Sequence, residues 1–176
     1  MSYGAAQLAS SFRTVRTNTI QIAEDIPENK YDFVPAPGTQ SVAALLKHIA
    51  YGPTFYQDIN AKRVTSLKGF DFPAVFGAIK VEEDKPRSKA EIVALLKSEG
   101  EKFATWLETL MPEFLAETFT DPSGQHTQTR MTSLHSPKEH EMHHRGQLML
   151  IERMLGITPH LTRAREERAK QTAAAS

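Results

Sequence analysis

Residues His140-Glu141-Met142-His143-His144-Arg145-Gly146-Gln147 carry three of the seven histidines of this 176-residue chain within five positions. On an α-helix, positions four apart lie one turn above each other, so His140 and His144 come to about 6 Å and can share a metal ion. Gln147 falls between them in angle one turn further on, and His143 lies on the flank. Both are candidates for the site mouth or for orienting a ligand from behind, while Glu141 and Arg145 point away from that line. Leu148, Ile151 and Leu155 continue the His140–His144 line at three- and four-residue steps, which predicts imidazoles facing the core.

His48 stands on a second stripe, Leu45, His48, Gly52, Phe55 and Ile59. A lone core histidine is most often a hydrogen-bonded packing residue. Three in one core are costly unless one partner satisfies them all, and a divalent ion does so. Three imidazoles with an open fourth position are the donor set of a catalytic zinc centre rather than a closed structural one. Beyond these ligands the sequence marks no catalytic residue. His126, His135 and His160 fall in connections and read as surface residues.

His140 to His144 also matches H-E-x-x-H, the zinc-peptidase helix in which the glutamate, here Glu141, is the general base. The longer form of that motif requires glycine where Gln147 stands and a third histidine where Leu150 stands. No strand pattern provides a sheet to wall a peptide cleft. On the peptidase reading Glu141→Ala abolishes turnover; on the three-histidine reading the metal stays and little is lost.

The elements that must position these side chains read as helices. Ala5 to Ile26 carries Leu8, Phe12, Val15, Ile22 and Ile26 inward, with Arg13, Arg16 and Asn18 between, and stops at Pro27. Tyr31 to Gly38, with two prolines, is an extended linker. A second helix runs from Ser41 to Ala61, kinked at Gly52-Pro53. Residues 63–87 are irregular, with Phe70, Phe72 and Phe76 suggesting a short helix or lid. Ser88 and Glu91 form a capping box for a helix ending at Met111-Pro112. After a second long connection, 112–135, Ser136 at N-cap, Pro137 at N1 and Glu139 at N3 open a helix closed by Gly156. Four long helices joined by long crossings, without alternating strands, predict an all-α four-helix bundle. Residues 1–160 form the domain and 161–176 a charged tail, a solvated helix or disordered.

Composition sets outer limits. A net charge of zero and a pI near 7.1 give no footprint for nucleic acid. The chain has no cysteine, which removes disulfides, thiolate zinc sites and a cysteine nucleophile. No signal-peptide pattern and no membrane-length apolar run is seen, so the expected location is cytoplasmic.

Tyr31-x-Phe33-x-Pro35-x-Pro37, Ser41 to His48 with its Leu-x-His-Ile turn, and His140-Glu141-x-His143-His144-Arg145-Gly146-Gln147 together resemble the DinB-like family of damage-inducible four-helix-bundle proteins. The order and spacing extend over most of residues 5–158. The resemblance implies a divalent metal on His48, His140 and His144, with zinc or nickel foremost and iron or manganese also compatible. It further implies a homodimer, with Trp106 and Met149 as candidate contacts. The implied activity is on a small molecule, as a hydrolase or a transferase using a low-molecular-weight thiol; many relatives have no known activity, and a non-catalytic, metal-stabilised binding or stress-response module is the alternative. Pro137, three residues before His140, departs from the pattern and is expected to displace that ring. The tail after Thr158 has no counterpart.

Overall fold

Helix breakers and caps divide the chain into a four-helix bundle in the computed structural model, which describes residues 3–174. Helix α1 (Ala5–Asp25) ends as Ile26 turns extended before Pro27. In α2 (Val42–Tyr51) the Ser41 hydroxyl accepts from the Ala44 N–H, while the Phe33 and Tyr31 carbonyls accept from Val42 and Ala43 at 3.1 and 2.8 Å. The proline-rich segment thus satisfies the otherwise orphaned N–H groups of α2. The buried Tyr31 pins that segment to α1 by donating its hydroxyl to the Ala23 carbonyl at 2.6 Å.

The helix expected over 41–61 is two helices, α2 and α3 (Pro53–Ala61), joined at Gly52. Pro53 has no N–H to give the Ile49 carbonyl. Arg16 of α1 supplies a donor instead, its Nη2 lying 3.1 Å from that oxygen. Within the irregular segment 63–87, Asp71 caps α4 (Phe72–Asp84) by accepting from the Ala74 N–H. The Ser88–Glu91 capping box opens α5 (Lys89–Glu108) as its spacing predicts.

The second connection holds α6 (Pro112–Ala116), an antiparallel pair β1 (Thr118–Thr120) and β2 (Thr127–Thr129), and α7 (Arg130–Ser133). The buried Arg130 ties this unit together, donating Nε to Glu117 at 2.8 Å and lying over the Phe114 ring. Helix α8 (Ser136–Met154) starts one position earlier than expected, with His135 at the N-cap. Pro137 sits in its first turn, where a missing N–H costs nothing, and the helix runs on unbroken. The expected displacement of His140 has no origin there. Gly156, at φ +78°, closes α8. Helix α9 (His160–Ala174) has no buried residue, so the charged tail is a solvated helix over its described length.

Both α1 and α2 pack against α5 and α8, which sets the chain-consecutive α1 and α2 diagonally across the bundle. Ile22, Ile26, Leu46, Ile49, Ile92, Leu96, Leu148 and Ile151 fill one end, and Phe12, Phe103, Leu107 and Leu115 the other. Each such side chain contributes roughly 1.5–3 kcal/mol on burial.

The buried face of α8 is turned one residue from the expected one. Pro137, Glu141, Leu148, Ile151 and Glu152 are inside, and His140 and His144 lie at its edge, half-buried. Glu141 is 1% exposed and accepts from Arg16 Nε with both oxygens, at 3.0 and 3.1 Å. Arg16 Nη1 donates to the Leu96 carbonyl at 2.9 Å. With its bond to Ile49, this guanidinium joins α1, α2, α5 and α8. Gly100 makes room for it, since a Cβ there would lie 2.7 Å from Arg16 Cγ. Arg16 and Glu141 thus both lie in the core rather than on a polar surface. Further along the same face Glu152 is fully buried, and neither of its carboxylate oxygens has a hydrogen-bond partner among the described residues.

Candidate metal centre

The Gly52-Pro53 break brings α2 against α8 at the level of His140. A Cβ on Gly52 would lie 2.9 Å from His140 Nδ1 and 3.2 Å from its Cε1, so only glycine leaves that ring its place. His48, one turn before Gly52, then meets both α8 histidines. His48 Nε2 lies 3.0 Å from His140 Nε2, and His144 Nε2 lies 3.1 Å from the same atom. The three ligand atoms are within 4.8 Å of one another, and no other group of three or more such side chains gathers this way among the described residues.

Hydrogen bonds behind the rings set their tautomers. A carboxylate only accepts, so His48 donates Nδ1–H to Glu83 Oε1 at 2.9 Å and its Nε2 keeps a lone pair. His144 donates Nδ1–H to Gln147 Oε1 at 2.8 Å, with the same result at its Nε2. His140 Nε2 can offer at most one proton between these two lone pairs. Burial, reinforced by the other imidazoles, pushes His140 down to about 4. Burial also lowers His144, against the bond to Gln147. Three imidazole nitrogens from two helices, with the outer nitrogens of His48 and His144 held, form a group able to hold a metal ion.

Of the other residues singled out in the sequence, Gln147 is exposed and bridges His144 to His143, whose Nε2 is 3.4 Å from Gln147 Nε2. His143 itself is exposed on the flank. His126 is exposed and His135 stacks on Tyr3 at 5.4 Å, but His160 is no free surface residue: its Nε2 meets Asn18 Oδ1 at 3.0 Å. Glu141 is held by Arg16 in the core and cannot act as a base at the cluster, which removes the peptidase reading. Glu83 was not singled out in the sequence. It lies on α4, 35 positions from His48, and its signal is the stripe Phe76, Ile79, Glu83 inside a segment otherwise broken by glycine and proline.

The cluster opens on two clefts. One, of about 370 Å³, is lined by His48 and His140 with residues of α2, α3 and α4. The other, of about 610 Å³, lies against His144 and Gln147 between α8 and the 35–40 loop. The imidazoles therefore face accessible space rather than the sealed core expected of them, and the 112–135 connection lines neither cleft.

The family model described as the DinB superfamily matches residues 11–148. The uncharacterized protein YjoA of Bacillus subtilis is 27% identical over 154 residues, which cover 86% of this chain and 91% of YjoA. The crystal structure of that DinB-like protein superposes with a TM-score of 0.65 at 24% identity, over 86% of this chain and 93% of the other. YfiT from Bacillus subtilis, described as "a probable metal-dependent hydrolase with an unusual four-helix bundle topology", gives 0.66 at 18% identity over 88% and 89%. A DinB-like protein from Bacillus cereus gives 0.65 at 18% over 87% and 93%. At these identities the structural likeness is one of fold.

Proposed function

Because this chain belongs to the DinB superfamily, we propose that its histidine cluster holds a divalent metal and that the protein is a metal-dependent enzyme acting on a small molecule. The ligands in this reading are His48, His140 and His144. The convergence of three Nε2 atoms whose rings are each otherwise accommodated carries it. A hydrolase is the first choice of reaction, a transferase using a low-molecular-weight thiol the second. The description of YfiT supports the former. Zinc or nickel fits an all-imidazole set best, with iron or manganese as further candidates. A closed structural centre is coordinatively sealed, and the two clefts at these rings favour an enzyme over a staple.

When bound, the ion supplies positive charge that polarises a substrate carbonyl and acidifies a water or thiol. The chain's own residues prepare that position. Glu83 and Gln147 fix the rings of His48 and His144 with Nε2 forward. Gly52 leaves space for His140. Phe55, Phe76 and Ile79 line the cleft beside these rings.

Zinc or nickel titrated into the purified protein is expected to bind one ion per chain. Ester and amide substrates, and thiol adduct formation, are then screened with and without metal. Failure of zinc, nickel, iron and manganese alike to bind removes the reading. A homodimer in the cytoplasm belongs to the same proposal, and light scattering showing only monomer at high micromolar concentration would remove the dimer. No helix among the described residues is long and apolar enough to cross a membrane.

A further inference from the structure

Phe76, Ile79, Lys80 and Glu83 recur on α4 at the spacing of one helical stripe, and all four line the cleft beside His48 and His140. The facing wall repeats that spacing with His48, Tyr51, Gly52, Phe55 and Tyr56 from α2 and α3. At one end of the two stripes stand His48 and Glu83, hydrogen-bonded to each other. Beyond them the walls become aromatic. The Phe55 and Phe76 rings lie 5.3 Å apart, and Phe76 stacks on Phe72 at 6.1 Å.

An apolar stripe on a helix normally closes against a core. On α4 only Glu83 is buried, and Phe76 is left 48% exposed beside the histidines. Most polar groups of the walls already have partners. Lys80 pairs with Asp84, Glu83 accepts from His48, and the Tyr51 hydroxyl accepts from Arg87 at 3.1 Å. The cleft therefore offers a ligand aromatic and aliphatic carbon rather than a counter-ion. Its volume of about 370 Å³ is at the small end for ligand pockets, which suits one ring rather than an extended chain.

We propose that this cleft takes the uncharged aryl or branched-alkyl body of the substrate, whose reactive polar head lies at the three imidazoles. The proposal rests on the metal reading above and adds the substrate class. It makes Phe76 and Ile79 specificity residues that touch the substrate without touching the metal.

Benzohydroxamate and acetohydroxamate share a metal-chelating head and differ in phenyl against methyl. Calorimetric titration of each into the zinc-loaded protein is expected to show the phenyl compound binding about tenfold tighter. In Phe76→Ala/Ile79→Ala that preference should fall to near parity, with zinc affinity and circular dichroism unchanged. Phe76 is half in solvent, so Phe76→Ala alone is a milder variant expected to lose part of the preference without loss of fold. Equal affinities in the unmodified protein, or a full preference surviving in the double variant, overturn the assignment while leaving the metal reading intact. A protein that binds none of zinc, nickel, iron or manganese overturns both.

Discussion

Two faces of α8 carry polar side chains one residue apart and treat them in opposite ways. Glu141 is in the bundle centre, and both its oxygens are taken by Arg16, whose remaining nitrogens reach the Leu96 and Ile49 carbonyls. His140 is at the bundle edge, and its Nε2 faces two other Nε2 atoms with too few protons to satisfy them. The first arrangement is complete within the protein and holds helices together. The second is supported from behind and unmet in front, which is how a chain prepares for a ligand. Polarity and burial alone do not separate the two cases; the count of donors against acceptors does.

The largest expected effect comes from the complete face. Arg16→Met leaves a buried carboxylate without its partner and should cost about 3–5 kcal/mol of unfolding free energy, measured by urea denaturation without metal. Replacing both partners, Arg16→Met with Glu141→Leu, should recover most of that loss. A single variant within about 0.5 kcal/mol of the parent protein, the range of surface changes, would show that the pair is not a structural unit.

On the edge face the same experiment should read differently. His144→Ala is expected to remove most bound metal while moving metal-free stability by less than about 1 kcal/mol. His126→Ala should leave metal content unchanged. Undiminished binding in a His48→Ala/His144→Ala variant would break the comparison at its root.

Smaller effects test the support behind the rings. Glu83→Ala should weaken metal binding roughly 10–100-fold, as loss of a partner behind a ligating histidine does. Unaltered affinity would mean that Glu83 only anchors α4. Gly52→Ala sharpens the point, because φ −49° and ψ −37° accept alanine without strain. Its Cβ still presses on His140, so metal affinity should fall, by about tenfold, with no loss of thermal stability.

The bundle was legible where local rules operate alone. Ser41, the Ser88–Glu91 pair and Gly156 cap helices where their residue types and spacing require it. His48, His140 and His144 stood out by type and periodicity, and the structure brings them together. Arg16 and Glu141 were hidden because charged residues are assigned to solvent by default. The hint was a seven-position step in the inward stripe of α1, from Val15 to Ile22, which buried Arg16 and Thr19 fill. On α8 two adjacent lines, through His140 and through Glu141, both lead into Leu148 and Ile151. Spacing cannot choose between them; the guanidinium on α1 does. Glu83 depends on a contact across 35 positions, which no helical period reports.

The buried face that gives Glu141 its arginine gives Glu152 nothing, and the consequence is a dependence on acidity. Burial, with Asp25 nearby, pushes the Glu152 carboxyl up to about 7 from 4.5, whereas His140 is pushed down to about 4 from 6.5. Between those limits the folded chain keeps a proton on Glu152 that the unfolded chain has released. That contribution is full below 4.5 and is lost as the pH rises through 7. His140 has the opposite sign: its contribution is full above 6.5 and is lost as the pH falls towards 4. The two slopes oppose each other over the same interval. In metal-free Glu152→Gln, the urea midpoint should climb more steeply from pH 4.5 to 6.5 than in the parent protein; an identical slope would mean that Glu152 is ionised in the fold. An acid that keeps its proton inside α8 thus acts as a counterweight to imidazoles that refuse theirs on the next face of the same helix.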